Sequence, residues 1–219
     1  ENIYRIELET EQRKLYLAAV VDAREKLRAA KPEDKMTVFA VLMRLREICC
    51  DPRLVADNWT GSSAKLEACL ELVTEAVAGG HRILLFSQFT SMLELLAKRL
   101  DEAGVSHFTL QGSTPKPVRA EQVRRFNQGE ADVFLISLRA GGTGLNLTAA
   151  DIVIHYDPWW NLAAQNQATD RAYRIGQRNP VQVYRLIAQD TIEEKIVELQ
   201  QAKQSLADTV TGGADGAIL

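Results

Sequence analysis

The apolar positions of this 219-residue chain follow two different rhythms. From Glu11 to about Leu54 they recur at helical spacing on either side of a breaker, "AAKPED", and this pattern predicts a helical hairpin. A short predicted strand, "YRIEL", precedes the hairpin. From Ser63 onward, short apolar runs alternate with helical stretches, which predicts an α/β fold in which helices cover both faces of a parallel sheet.

The second region contains five predicted strands and a final helix. The strands are the runs "RILLFS", "VSHFTL", "DVFLIS", "DIVIHY" and "VQVYRLIA". The final helix begins with a predicted capping box, Thr191 to Glu194, and runs to about Leu206. We therefore predict a linker strand and helical protrusion over 1–60, an α/β domain over 61–190, and a C-terminal helix with a frayed tail over 191–219. In such sheets, chemistry lies beyond the carboxyl ends of the strands.

Composition changes this picture little. The chain is 46% hydrophobic with a formal charge of -3, so binding to a polyanion would need local basic clusters. Cys49, Cys50 and Cys69 match no metal-binding spacing, so no metal site is predicted and a reducing compartment is favoured. No apolar run is long enough to cross a bilayer, and the first residues lack a signal-peptide pattern, so no membrane partner is expected.

A glycine-rich loop, "LRAGGTGLNLTAAD", follows the strand "DVFLIS". Gly141, Gly142 and Gly144 would let the backbone approach a phosphate or a sugar, but a tight strand-to-helix turn would explain them equally well. The loop lacks the lysine of a Walker-type phosphate loop, because Leu145 follows Gly144. The acidic sequence "DEAG" closes a predicted helix and is interpreted as a helix stop at Gly104.

The stretch "QNQATDRAYRIGQRNP" places Gln167, Asp170, Arg171 and Arg174 on one side of a helix. A solvated charged face is one interpretation of this pattern. The other is phosphate recognition, because arginine presents a planar fork of donors that suits phosphate oxygens. Such an arginine can act on a nucleotide that a different domain holds, which would explain why this chain has no phosphate-loop lysine.

Four ordered motifs then identify a resemblance to a known family. The segments "ILLFSQFTSMLELL", "LQGSTPKPVRAEQVRRFN", "ISLRAGGTGLNLTAADIVIHYDPWWN" and "QATDRAYRIGQ" resemble motifs of the SWI/SNF-type ATP-dependent DNA translocases, which are relatives of the superfamily-two helicases. The resemblance covers nearly the whole chain and implies the second, RecA-like lobe of a two-lobed motor, with the hairpin as a protrusion. It also implies that ATP and Mg²⁺ are bound mainly by the first lobe, so the fragment alone would be inactive.

The resemblance also implies roles for individual residues. Arg171 and Arg174 would be arginine fingers, Gln167 and Asp170 would organise them, and Gly142 and Gly144 would lie beside the nucleotide. The residues implied to approach DNA are Ser87, Gln88, Gly112, Ser113, Ser137, Arg139, Gly141 and Trp159. Because Trp159 and Trp160 are adjacent, they cannot share one face, so one is expected to pack in the core while the other is available to DNA or a neighbouring loop. An interpretation in which both rings pack is favoured, because buried aromatic side chains are commoner.

The implied partners are double-stranded DNA, the N-terminal lobe of the same protein and a DNA-bound protein complex. The expected location is the cytoplasm of a bacterium, at the nucleoid, or the nucleus if the source is eukaryotic. The ending "RIGQR" departs from strand-separating helicases and favours translocation on duplex DNA. Three alternatives stay open: a non-catalytic RecA-like protein-interaction module, an RNA helicase lobe, and an unrelated α/β enzyme with its own small-molecule site.

Overall fold

The computed structural model describes residues 1–140, 145–170 and 180–212, with side chains as far as residue 208. Its elements confirm the predicted alternation. The strands are β1 Asn2–Ile6, β2 Ile83–Ser87, β3 His107–Leu110, β4 Val133–Ser137, β5 Ile152–His155 and β6 Gln182–Ala188. The helices are α1 Thr10–Ala29, α2 Lys35–Cys50, α3 Ala64–Ala78, α4 Thr90–Glu102, α5 Lys116–Asn127, α6 Leu162–Asp170 and α7 Ile192–Gly212, with a short 3₁₀ turn at Pro52–Leu54.

The six strands form one sheet in the order β1-β6-β5-β2-β4-β3. Every pair of neighbouring strands is parallel. All carboxyl ends therefore lie at the same edge of the sheet, and the ends of β5, β2, β4 and β3 are consecutive along it. This arrangement brings together loops that are far apart in the sequence.

Alternate residues of the central strands face opposite layers of helices. Ile83 and Leu85 of β2 pack with α3 and α4, and we call this side of the sheet the α3–α4 face. Leu84 and Phe86 pack with α5 and α6 on the other side, the α5–α6 face. The predicted fold class, a parallel sheet with helices on both faces, is thus confirmed.

The predicted helical hairpin is formed by α1 and α2. Its inner side, which includes Tyr16 and Leu45, packs against Ala188 at the end of β6. Gln12 of α1 is fully buried and joins the parts of this region, because its amide donates to the carbonyl of Ile48 over 2.9 Å and its carbonyl oxygen accepts from Ala64 N over 3.2 Å. The hairpin is therefore anchored on the sheet domain at its base.

The C-terminal helix α7 is fixed to the domain by a buried ion pair. The ammonium group of Lys65, on α3, contacts the carboxylate of Glu193, and both side chains are almost completely buried. Burial, the largest single influence, lowers the pKa of Lys65, but the charge and hydrogen bond of Glu193 and the nearby Cys50 and Cys49 together outweigh it, so the pKa of Lys65 is raised. The ammonium group also lies 5.3 Å from the centre of the Tyr156 ring.

The start of α7 differs from the predicted capping box. The hydroxyl of Thr191 accepts from the N–H of Glu193 over 3.1 Å, and Glu194 faces Arg5 at 3.6 Å. The reason is the buried ion pair, which draws Glu193 inward and leaves Glu194 on the outer side of the helix.

The helix stop predicted at Gly104 is confirmed, since this residue follows α4 with a φ of 68°.

The three cysteines are free thiols and are fully buried. Burial raises the pKa of the Cys69 thiol to about 12.

Among the helices in the described ranges, none has both the length and the apolar character needed to cross a membrane.

Candidate nucleic-acid interface

The loops that follow β2, β3 and β4 meet in one cleft at the carboxyl edge of the sheet. The cleft has a volume of about 490 Å³. Its lining includes five of the residues predicted to approach DNA, which are Gln88, Gly112, Ser113, Ser137 and Arg139. They come from three separate motifs of the sequence, and the strand order alone makes them neighbours.

Ser87 ends β2 beneath this cleft and is fully buried. Its hydroxyl donates to the carboxylate of Asp157 over 2.5 Å and accepts from the N–H of Phe89 over 3.1 Å. Both hydrogen bonds hold the β2–α4 loop in place. The side chain of Ser87 therefore supports the loop from below, and Gln88 is the residue of this pair that lines the cleft.

Asp157 is a residue of this region that sequence reasoning missed. Its buried carboxylate accepts from Ser87, from the backbone N–H of Gln88 over 3.3 Å and from the amide of Gln88 over 3.0 Å. Three hydrogen bonds from two successive residues converge on this one carboxyl group, so Asp157 fixes the conformation of this loop. The available signal was its position, because an acidic residue comes directly after the apolar run "DIVIHY".

The β4 side of the cleft is built in a similar way. Ser137 is buried, and its hydroxyl accepts from the N–H of Ala140 over 3.2 Å. Arg139, between them, is exposed. In this turn the serine side chain is therefore buried and the arginine side chain is exposed to the cleft. Arg139 is the one cationic side chain among the described residues that line the cleft.

Arg46 connects the helical hairpin to the same region and was also missed. It lies on α2 and is buried, with its guanidinium 5.6 Å from the ring centre of Phe89 and 5.7 Å from that of Trp160. It donates to the carbonyl of Pro158 over 2.9 Å. Arg46 therefore contacts both the β2–α4 loop and the segment after β5. The signal was an arginine inside the apolar run "VLMRLREI".

The two adjacent tryptophans are both half-buried. The Trp159 ring packs against the core of the α5–α6 face, and its backbone N–H donates to Gln165 over 3.2 Å. The Trp160 ring lies against Arg46. The amide of Gln200, on α7, donates to the carbonyl of Trp159 and to Gln165. Both tryptophans thus contact the body of the domain, and Trp159 lies at the junction of β5, α6 and α7.

Helix α6 carries two residues of the predicted nucleotide site, Gln167 and Asp170, and both are exposed. Its inner side contributes Gln165 and Ala168, which are buried. The predicted site residues Gly141, Gly142, Gly144, Arg171 and Arg174 lie outside the described residues. Their positions relative to Gln167 and Asp170 stay predictions.

A buried histidine supports α6 from the sheet. The Nε2 atom of His155, on β5, lies 2.8 Å from the hydroxyl of Thr169, and its ring stacks on Phe86 with centres 5.6 Å apart. Burial, reinforced by the positive charge of Arg185, lowers the pKa of His155 to about 3. The imidazole is therefore neutral at pH 7, and it connects the centre of the sheet to the residue before Asp170.

Comparison with known proteins agrees with this fold. The model of the helicase conserved C-terminal domain matches residues 64–176. A putative ATP-dependent helicase/translocase, YwqA of Bacillus subtilis, is 41% identical over 212 residues, which are 94% of this chain and 23% of that protein. The chain spans about a fifth of the length of the curated relatives it matches.

Solved structures are similar over almost the full chain. The Sulfolobus solfataricus SWI2/SNF2 ATPase core in complex with dsDNA has a TM-score of 0.81 and 30% identity, over 97% of this chain and 46% of that one. The C-terminal domain of a Sulfolobus solfataricus SWI2/SNF2 ATPase has a TM-score of 0.79 and 28% identity, over 93% of this chain and 86% of that one.

Proposed function

Because the chain belongs to the helicase conserved C-terminal domain family and resembles SWI2/SNF2 ATPases in sequence and fold, we propose that it is the second motor lobe of an ATP-dependent translocase on double-stranded DNA. The observation that carries the proposal is the cleft in which the loops after β2, β3 and β4 converge. Polar side chains and exposed backbone from three motifs line it, as contacts to a phosphate backbone require.

In this proposal the cleft holds the sugar-phosphate backbone of one DNA strand. Gln88, Ser113 and Arg139 supply hydrogen-bond donors, and Arg139 supplies the positive charge. At Gly112 a Cβ atom would meet no other atom within 4 Å, and its φ lies outside the left-handed region. The fold therefore does not require glycine there, whereas the close approach of a bound strand would. Contacts of this kind position a motor without reading the base sequence.

The nucleotide would lie between this lobe and a first lobe that belongs to the same protein. Arg171 and Arg174 would stabilise the charge that develops on the transferring phosphoryl group, while Gln167 and Asp170 organise them. Gly142 and Gly144 would lie beside the nucleotide. As the family resemblance implies, Mg²⁺ and most of the phosphate contacts would be provided by the first lobe. The chain alone would therefore hydrolyse no ATP.

Replacement of an arginine finger in the full-length protein tests this role. We expect Arg171→Ala to reduce ATP turnover stimulated by duplex DNA by a factor of about 10³ to 10⁵, with a much smaller effect on duplex affinity. The matched control is Arg124→Ala on α5, because the guanidinium of Arg124 is exposed and its hydrogen bonds within the described ranges go to Glu121 and Gln128. Normal turnover in the Arg171 variant would refute the assignment.

Measurements of ATPase activity on the full-length protein, with duplex DNA or RNA added, distinguish the other candidate functions. A translocase on duplex DNA requires stronger stimulation of ATPase activity by duplex DNA than by RNA, whereas an RNA helicase lobe predicts the reverse. A non-catalytic interaction module predicts no stimulated hydrolysis by either. An independent α/β enzyme predicts that the chain described here binds a small molecule without any other lobe.

A further inference from the structure

Arg119 is an arginine beside the cleft whose guanidinium faces the protein's own backbone. It lies in the first half of α5, directly after the loop 111–114 that contributes to the cleft. Its Nε atom donates to the carbonyl of Thr114 over 3.0 Å. Its Nη2 atom donates to the carbonyls of Gln111 and Gly112, each over 3.2 Å. Three carbonyls of one short loop therefore share a single guanidinium.

The loop is closed on itself by two further hydrogen bonds. The N–H of Thr114 donates to the carbonyl of Gln111 over 3.0 Å, and the N–H of Gln111 donates to the hydroxyl of Thr114 over 3.0 Å. Within the described part of the chain, the N–H groups of Gly112 and Ser113 have no such partner, and both residues are exposed. The carbonyls are thus occupied by Arg119, while two adjacent N–H donors are left for an incoming anion.

We propose that Arg119 is a positioning residue for DNA binding: it gathers the loop's carbonyls so that the N–H groups of Gly112 and Ser113 face the phosphate backbone. The inference rests on the proposed DNA-binding role of the cleft. Arg119 has no carboxylate within salt-bridge distance among the described residues, so the partners of its guanidinium there are the three loop carbonyls. Lysine cannot replace it fully, because one ammonium group lacks the planar fork that reaches three acceptors.

Salt dependence separates a positioning arginine from one that contacts phosphate. Each phosphate that a side chain neutralises adds about 0.9 to the slope of log affinity against log salt concentration. A direct contact through Arg139 therefore contributes both affinity and slope. Loss of Arg119 would disorient two uncharged donors, so it would lower the affinity and leave most of the slope unchanged.

The experiment measures binding of the full-length protein to a fluorescent DNA duplex without nucleotide at several salt concentrations. We expect Arg119→Met, which keeps the length of the side chain, to weaken binding about tenfold, or about 1.4 kcal/mol, with a slope change below half of that in Arg139→Ala. Arg119→Lys should recover part of the loss. Arg124→Ala, on the same helix but paired with Glu121, should bind normally.

Turnover provides a second readout that a purely structural role would not reproduce. In Arg119→Met, the DNA concentration for half-maximal ATPase stimulation should rise about tenfold, in line with the lost affinity, while turnover at saturating DNA stays normal. Unchanged affinity, a slope change equal to that of Arg139→Ala, or complete recovery by lysine would each overturn the positioning role. If Arg139→Ala and Gly112→Ala both bind like the unaltered protein, the proposed DNA cleft itself fails, whatever Arg119 does.

Discussion

The two faces of the sheet are covered very differently. On the α3–α4 face, two long helices contribute an almost continuous layer of buried apolar side chains. On the α5–α6 face, Phe126 and Ala168 are the only buried apolar residues that the two helices contribute within the described ranges. The α3–α4 layer consists of Leu66, Cys69, Leu70, Val73 and Ala76 from α3 and Met92, Leu93, Leu96 and Leu100 from α4.

The face that contributes most buried apolar contacts is therefore not the face that carries the predicted nucleotide residues. Helix α6, which carries the predicted nucleotide residues, rests on polar groups such as His155 and Gln165 as well as on Ala168. An element with few buried apolar contacts opens locally at a lower free energy than the global unfolding. The thinly covered face is therefore suited to loops and helices that must adjust to ligands, while the other face holds the sheet together.

The largest expected effect comes from the ion pair on the well-covered face. Lys65→Met removes the cation that faces the buried carboxylate of Glu193, which keeps its hydrogen bond from the N–H of Ala188, so the free energy of unfolding should fall by about 3–5 kcal/mol. Guanidinium titration of the chain measures this change. The double variant Lys65→Met with Glu193→Leu should recover most of the loss, because it removes both buried charges. Equal destabilisation in the single and double variants would contradict this account.

The apolar cores should respond unequally when one aliphatic side chain is shortened to alanine on each face. Leu96→Ala on α4 removes a fully buried side chain and should lower the free energy of unfolding by about 2–5 kcal/mol. Val123→Ala on α5 removes one that is only partly buried and should cost about 1 kcal/mol. Denaturant titrations measure the free energy of unfolding of both variants. Equal losses would contradict the proposed difference in packing between the two faces.

Because the buried His155 supports α6, the free energy of unfolding should depend on pH. The folded state holds the pKa of His155 at about 3, below its ordinary value of 6.5, so the unfolded chain binds a proton that the folded chain excludes. Stability should therefore fall as the pH drops below about 6.5, and this residue should account for about 2 kcal/mol between pH 7.5 and pH 5. Denaturant titrations at both pH values should show a smaller loss in His155→Asn. The same loss in both proteins would exclude this origin.

The smallest expected effect on stability lies at the cleft. Since a Cβ at Gly112 meets open space, Gly112→Ala should leave the free energy of unfolding unchanged or raise it by up to about 1 kcal/mol. The same variant should weaken binding to duplex DNA, as the proposed close approach requires. A destabilised Gly112→Ala protein would show that the glycine serves the fold and not the bound strand.

The sequence predicted the elements well because each apolar run is either a buried strand or one side of a helix. The strand "RILLFS" became Ile83–Ser87, and "DVFLIS" became Val133–Ser137, within a residue or two. The polar contacts were harder to predict. Asp157 supports Ser87 only because β5 lies beside β2, and a pattern of apolar positions does not specify the order of strands.

The direction in which a charged side chain points also escaped prediction. Arg46, Arg119 and Arg139 look alike in the sequence, yet the first is buried between rings, the second binds carbonyls and the third is exposed. The capping box at Thr191 failed for a related reason, since the distant Lys65 selects Glu193 as its partner. Tertiary contacts over long sequence separations decide these outcomes.

The complete burial of Cys49, Cys50 and Cys69 has a practical consequence for following motion in this domain. Thiol-reactive dyes need an accessible thiolate, and burial of these three groups denies them one while the domain stays folded. A cysteine introduced on the exposed side of the hairpin or of α5 would therefore take up a fluorophore selectively, with the native cysteines left in place. The native thiols would react only on unfolding, which makes them an internal check that a labelled sample is intact.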